Sequence, residues 1–138
     1  MKCTLFLFLL FAGMAVKGQD IDITTFGIAP NSFLDATEGV GKAIEACRNK
    51  PGARLVFPQG RYDFWPEKAE EHIYYITNSS SEEEYPSKKQ RAALLFRELT
   101  NLTVEGNNSL FVFHGKMISW VIDGCENVRL QNIRVDYV

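Results

Sequence analysis

The feature that most constrains this sequence is a repeat near its carboxyl end. The segment Asn101–Gly106 (NLTVEG) returns 26 residues later as Asn127–Asn132 (NVRLQN), and the second and fourth positions are apolar in both copies. Short strand-like segments with a period in the twenties are typical of a solenoid, whose coils bury their apolar faces against one another. About three coils are needed for stability. Little more than two are visible, so we predict the first coils of a longer solenoid that is incomplete at the C-terminus.

The amino terminus has the pattern of a secretory signal. Lys2 precedes an apolar run, and small residues then lead to Gly18. The run from Thr4 to Val16 is shorter than the roughly 20 residues of a membrane span. We therefore predict a signal peptide over residues 1–18 and an exported domain over residues 19–138, located in the periplasm, at the cell surface or outside the cell. An uncleaved anchor is the alternative.

Charge and motif content exclude several classes of function. Removal of residues 1–18 leaves 13 basic and 17 acidic residues, a net charge of −4. Such a chain has no electrostatic footprint for nucleic acid or for anionic membranes. No His/Cys cluster has zinc spacing, no Gly-rich loop follows a strand to hold phosphate, and no nucleophile elbow is present. We expect no metal and no cofactor, and the sequence leaves the oligomeric state open.

Two cysteines remain in the predicted domain, Cys47 and Cys125. An exported protein can oxidise such a pair, but spacing along the chain does not show whether two residues meet in space. We predict two unpaired, half-buried thiols.

One amphipathic helix is predicted near the start of the domain. Asp35 has the character of an N-cap, with Glu38 three residues later in a capping-box arrangement. Pro51 and Gly52 supply the stop. Apolar and small residues recur on one face at Thr37, Val40, Ile44 and Cys47. A helix with one apolar face suits the end cap of a solenoid, because an uncapped first coil exposes apolar side chains and backbone groups to water.

The rest of the domain is predicted to be strands. The segment from Trp65 to Gln90 interrupts the rhythm with an acidic run and a basic one, and long insertions of this kind often shape a cleft. Since no helices separate the later strands, we expect one coiling all-β sheet system. The predicted strands are Ile21–Thr24, Arg54–Phe57, Arg61–Phe64, Ile73–Ile76, Ala92–Phe96, Leu102–Val104, Phe111–Phe113, Trp120–Ile122, Val128–Leu130 and Ile133–Val135.

The first half of the domain resembles the amino-terminal signature of right-handed parallel β-helix carbohydrate enzymes, the polygalacturonases and pectate-lyase-like proteins. The resemblance implies the same fold here, with an N-terminal capping helix. Two departures are Ile28, where these proteins usually have Ala, and Asn31, where Asp is common. The matching segments are, in order, Phe26-Gly27, Pro30-Asn31-Ser32, Asp35-Ala36-Thr37, Ala43-Ile44, Cys47 and Leu55–Tyr62.

Further motifs resemble glycoside hydrolase family 110, bacterial exo-α-1,3-galactosidases several times longer than this chain. The resemblance implies hydrolysis of terminal α-1,3-linked galactose, as on blood-group-B-type glycans or glycoproteins, by an inverting mechanism. It also implies that the catalytic aspartates follow Val138, so that the fragment itself is inactive. The motifs are Tyr62–Pro66, Tyr74-Tyr75, Asn101–Asn107, Phe111–Gly115 and Asn132–Asp136.

Few residues of the chain itself are candidates for the site. Inverting glycosidases place two carboxyl groups about 6.5–9.5 Å apart. Glu105 has Gln131 as its counterpart 26 residues later, and Asp123 lies in a turn. Asp136, at the end of a strand, is the one weak catalytic candidate, and a solvated or ladder-bonded acid is its simpler interpretation.

Two aromatic side chains are weak candidates for substrate binding. Trp65 has the flat surface on which a pyranose ring can stack, and His114 lies at a turn where it can contact sugar. Structural roles are the commoner ones for both residue types.

Two other functions stay open. A non-catalytic glycan-binding or structural β-helix fits the lack of a convincing carboxylate pair. A lyase of acidic polysaccharide needs basic side chains or calcium, and only Arg129 and Arg134 suggest it.

Overall fold

The computed structural model describes residues 18–75, 81, 83 and 86–138. The predicted signal peptide, apart from Gly18, lies outside these residues, as does Ile76. In the described part no helix is long and apolar enough to span a membrane. The elements, in chain order, are β1 (Asp20–Asp22), a 3-10 turn (Ile23–Phe26), α1 (Thr37–Ala46), β2 (Arg54–Val56), β3 (Arg61–Phe64), a 3-10 turn (Pro66–Lys68), β4 (Glu70–Ile73), β5 (Lys89–Arg97), β6 (Thr100–Phe113), β7 (Ile118–Asp123) and β8 (Glu126–Tyr137).

The strands form two sheets in which nearly every pairing is parallel. The long strand β6 pairs with β2 and β3 as well as with β8, and β1 extends this sheet beyond β2. The second sheet has the order β4-β5-β7. Parallel pairing of successive strands requires the chain to return to the same end before each one begins. The strands therefore stack one above another instead of folding back as hairpins.

The 26-residue repeat is confirmed as a structural register. Leu102 pairs with Val128 and Val104 with Leu130, and β5 pairs with β7 at the same offset. Beyond Glu105 the register shifts, so that Ser109 faces Ile133 at an offset of 24. The bend in β6 uses two left-handed asparagines, Asn107 and Asn108, whereas the bend in β8 uses Asn132 alone.

The sequence offset between paired strands is longer earlier in the chain, because the segment from Trp65 to Gln90 lies between them. Arg61 on β3 faces Leu110 on β6, an offset of 49. The intervening segment contributes β4, which runs antiparallel to β5. The predicted strand Ile73–Ile76 is wrong in position, since the strand covers Glu70–Ile73. Antiparallel backbone pairing with β5 holds it there, and Glu71 also forms ion pairs with Lys89 and Arg91.

Two predicted boundaries near the amino end are also wrong. The first strand ends at Asp22, because the Asp22 carboxylate accepts a hydrogen bond from the Thr24 amide and starts a 3-10 turn. The capping box does not form. Ala36 is the N-cap, Asp35 accepts from the Thr37 amide at 2.9 Å, and Glu38 pairs with Lys42 instead.

The helix face and the thiols agree largely with expectation. Val40, Ile44 and Cys47 are buried on α1's inner side. Both cysteines are free, as predicted, but Cys47 is fully buried rather than half-buried because it lies in the core and donates to the Ala43 carbonyl. This burial raises the pKa of the Cys47 thiol to about 11.

A column of aromatic rings lies on the inner, core-facing side of the large sheet. Phe64 stacks on Phe113 with ring centroids 5.1 Å apart, and Phe113 contacts Tyr137 at 5.7 Å. These three residues share one register position on β3, β6 and β8. Burial of Phe64 and Phe113, which are fully buried, contributes about 1.5–3 kcal/mol each, whereas Tyr137 is 63% exposed. The column fixes which side chains of these strands face outward.

Candidate functional site

The outer face of β3, β6 and β8 carries the polar residues nearest to the predicted site. Tyr62 and Phe64 are buried in the core, so the residues alternating with them, Arg61 and Asp63, belong to the opposite face. In the ladder Asp63 faces Val112, which in turn faces Asp136.

Asp63 is the centre of a buried ionic cluster. Its side chain is 1% exposed and accepts two hydrogen bonds from Arg61, at 2.9 and 2.6 Å. Its Oδ1 atom also lies 2.7 Å from His114 Nε2. Burial alone raises the pKa of Asp63, but the hydrogen bonds from Arg61 and His114 outweigh it and hold the pKa below its usual value. The carboxylate is therefore ionised, with both oxygens hydrogen-bonded.

The two predicted substrate-binding residues lie against each other. The rings of Trp65 and His114 are stacked, with centroids 4.0 Å apart and planes within 2°. The Trp65 amide donates to the Thr37 hydroxyl at 3.1 Å, which ties the start of the insertion to α1. Stacking and the bond to Asp63 hold the His114 ring in one orientation. The arrangement can present a fixed aromatic edge, since both residues are partly exposed.

Asp136 lies on the same face but in a different environment. It is exposed, and its Oδ1 atom accepts from the Tyr137 amide at 2.9 Å. Two strand spacings of about 4.8 Å separate its backbone from that of Asp63, near the upper limit for an inverting pair. Both Asp63 oxygens accept hydrogen bonds and the side chain is only 1% exposed, so water and substrate do not reach it and the two do not form an acid–base pair.

The other acids that the sequence singled out have local partners. Glu105 accepts from Gln131 at 2.6 Å, from Asn132 at 2.8 Å and from the Asn107 amide at 3.0 Å. These bonds, the one from Gln131 first, lower the pKa of Glu105. Its pairing with Gln131 follows the repeat and joins β6 to β8.

Asp123 likewise has partners of its own. It lies 3.6 Å from the Arg97 guanidinium and accepts from the Tyr74 hydroxyl at 3.3 Å. Over the described ranges, no group of three His, Cys, Asp or Glu side chains is arranged to hold a metal ion.

Sequence reasoning missed Asp63 and Phe33. Asp63 alternates with buried aromatic residues and shares a face with Arg61, and this pattern in the sequence could have indicated that the two side chains pair. The Phe33 ring is 60% exposed and lies 4.9 Å from the Arg61 guanidinium, at a backbone φ of 57°. A left-handed φ is rare for a bulky residue. The loop holds it because Asn31 bonds to both backbone groups of Arg61.

Comparison with known proteins identifies the class of protein that carries these features. The chain is 38% identical to alpha-1,3-galactosidase B of Bacteroides thetaiotaomicron over 98% of its length, which is 21% of that protein. It is 37% identical to alpha-1,3-galactosidase A of Bacteroides fragilis, over 94% of the chain and 22% of the relative. The enzyme of the same name from Shewanella woodyi is 38% identical over 86% of the chain and 19% of the relative. No protein-family profile matches.

The chain is thus homologous to glycoside hydrolases over nearly its whole length. In particular, it corresponds to about one fifth of the length of the alpha-1,3-galactosidases that it matches.

Proposed function

We propose that this chain forms the amino-terminal part of an exported exo-α-1,3-galactosidase of glycoside hydrolase family 110. The observation that carries the proposal is the 38% identity to a named alpha-1,3-galactosidase across 98% of the chain. The proposed fold is a right-handed parallel β-helix with α1 as its end cap. The parallel ladders between β5 and β7 and between β6 and β8 support it, because both share the 26-residue offset of one coil.

The proposed reaction is hydrolysis with inversion at the anomeric carbon of a terminal α-1,3-linked galactose, as on blood-group-B-type glycans. One carboxylate removes a proton from water as the oxygen attacks, and a carboxylic acid protonates the leaving oxygen. Asp63 and Glu105 each accept three hydrogen bonds within the structure. In line with the family resemblance, we propose that both catalytic groups lie in the part of these enzymes that the chain does not cover. The chain's own contribution is the cap and the first coils on which the others stack.

A chimeric enzyme tests the proposal. Residues 19–138 replace the matching segment of the Bacteroides thetaiotaomicron enzyme, and galactose release from an α-1,3-linked galactobioside is followed by NMR. We expect release, with the β-anomer appearing first. A matched chimera with Val104→Asp, which places a charge at a fully buried position, should lose its fold and its activity. A folded chimera without galactose release, beside an active parent, would contradict the proposal.

A non-catalytic glycan-binding role is the second candidate. It is favoured by the hydrogen bonds that engage the carboxylates of Asp63 and Glu105, since both acids serve the structure here. Galactose release by the chain alone would exclude a role in binding only.

A further inference from the structure

A polar groove lies on the first half of the β6–β8 ladder, away from the cluster around Asp63. It has a volume of about 640 Å³. Its lining, which we call the asparagine groove, consists of Pro51, Gly52, Asn101, Thr103, Asn127 and Arg129. The bends after Glu105 and Gln131 separate it along the chain from Asp136.

Two stacked asparagines form one side of the groove. Asn127 Nδ2 donates to Asn101 Oδ1 at 2.8 Å, and both residues have a left-handed φ, 53° and 54°. The bond fixes the orientation of both amides. It uses one donor of Asn127 and one acceptor of Asn101, and within the described part of the chain no other side-chain bond engages the Asn101 donors or the Asn127 oxygen. One rung therefore offers both kinds of hydrogen-bonding atom to a ligand.

The neighbouring row supplies two further polar groups. Arg54, Thr103 and Arg129 are in register across β2, β6 and β8. Arg54 pairs with Asp20 at 3.0 Å. Within the described ranges, the Arg129 guanidinium and the Thr103 hydroxyl have no hydrogen-bond or ion-pair partner, although both line the groove. Both groups are therefore available to hydrogen-bond a ligand in the groove.

The opposite wall is held in place by the backbone. The Gly52 amide donates to the Asn101 carbonyl at 2.9 Å, with Gly52 at a φ of 76° that suits glycine. Pro51 precedes it and has a fixed φ. The wall, the asparagine rung and the strands are thus preorganised, which reduces the entropy lost on binding.

We propose that the asparagine groove binds a neutral oligosaccharide. Sugar hydroxyls donate and accept in equal measure, and the groove offers amide and guanidinium donors beside amide and hydroxyl acceptors. A single unpaired cation among these acceptors does not suit a polyanion, which requires several basic groups. This site goes beyond the proposed function, which gives these coils a structural role and assigns no ligand to the asparagine groove.

Saturation-transfer NMR with the purified chain tests the site. The probe is the neutral tetrasaccharide lacto-N-neotetraose, and the same sugar with a terminal sialic acid is the charged comparison. We expect transfer to the neutral probe. Arg129→Gln should weaken binding about tenfold and Thr103→Val about threefold, as for one lost charged and one lost neutral hydrogen bond. Arg134→Gln, on the same strand but beyond the bend, is the matched control and should change nothing.

Circular dichroism of each variant checks that the fold is intact. Absence of transfer to the neutral probe, or equal binding by the Arg129 variant and wild type, would overturn the proposal. Binding of the sialylated sugar alone would overturn it too, in favour of an anion site. The chimera's galactose release reports on the galactosidase assignment independently, so failure of the groove and failure of the proposed function are distinguishable.

Discussion

The contrast between two aspartates, Asp63 and Asp20, shows what burial does to an ion pair in this protein. Both pair with an arginine, but Asp63 is 1% exposed whereas Asp20 is 59% exposed. An exposed pair exchanges one set of water contacts for another and contributes little. A buried carboxylate has lost its water, so every hydrogen bond from Arg61 and His114 is needed to keep it charged.

Asp63→Asn should lower the free energy of unfolding by about 2–3 kcal/mol, because a charged acceptor is replaced by an amide whose NH₂ faces Arg61 or His114. Asp20→Asn is the matched control, with an expected loss below about 1 kcal/mol. Urea unfolding of both variants measures the difference. Equal losses of unfolding free energy would show that the buried cluster around Asp63 stabilises the fold no more than the exposed pair does.

The depressed pKa of Asp63 predicts a loss of stability in acid. The group has a lower pKa folded than unfolded, where the ordinary value is about 3.9. Its contribution is therefore complete above about pH 4 and is lost as the pH falls through the folded pKa. The Asp63→Asn variant should show a shallower decline in unfolding free energy below pH 4 than wild type does. Parallel curves for the two proteins would contradict this origin.

Part of the site could be predicted from the sequence at the scale of single residues. The alternation in Arg61-Tyr62-Asp63-Phe64 puts Arg61 and Asp63 on one face. Only the tertiary fold brings His114, 51 residues later, to the same carboxylate. The stack of Trp65 on His114 has the same origin, which is why the two were predicted as separate contacts.

At the scale of elements, periodic patterns predicted more than boundaries did. Strand β3 has the predicted bounds, and the inner face of α1 is the predicted one. The predicted strands Leu102–Val104 and Phe111–Phe113 are one bent strand, because the left-handed Asn107 and Asn108 turn the chain without ending its pairing. Such a bend depends on the partner strand and has no periodic signal.

The two glycines of α1 should respond oppositely to alanine. A Cβ on Gly41 meets no atom within 4 Å, so Gly41→Ala should raise the unfolding free energy by about 1 kcal/mol through helix propensity. A Cβ on Gly39 meets Ile28 Cγ1 at 2.7 Å and the Phe26 carbonyl at 3.2 Å. Gly39→Ala should therefore not raise the unfolding free energy, because the steric contacts offset the gain in helix propensity.

Thermal unfolding measures both variants. Pairing Gly39→Ala with Ile28→Ala, which removes both contacting carbons, Cγ1 and Cδ1, should recover part of the loss in a double-mutant cycle. Equal stabilisation by the two alanines would show that Gly39 is not a packing constraint.

For the whole molecule, the repeat and the parallel pairing belong together. A 26-residue period predicts which residues stack, and the pairs Leu102–Val128 and Val104–Leu130 agree with it. A strand was predicted here at Ile73–Ile76, but the position and the antiparallel direction of β4 were not predicted, since both depend on backbone pairing with β5. Local patterns thus predict the ladder, whereas insertions are placed by long-range contacts.

The exposed side of strand β8 predicts how the isolated chain behaves in solution. In the described structure β8 pairs with β6 along one side, while Val135, Tyr137 and Val138 are 38%, 63% and 75% exposed. An open strand edge beside apolar side chains is a template for pairing with another chain. We expect concentration-dependent association in sedimentation velocity. Val135→Lys should weaken it, because charge on an edge strand opposes pairing, whereas Leu34→Lys, at an exposed loop position, should not. A monomer at every concentration, or equal effects of the two lysines, would contradict a role for this edge.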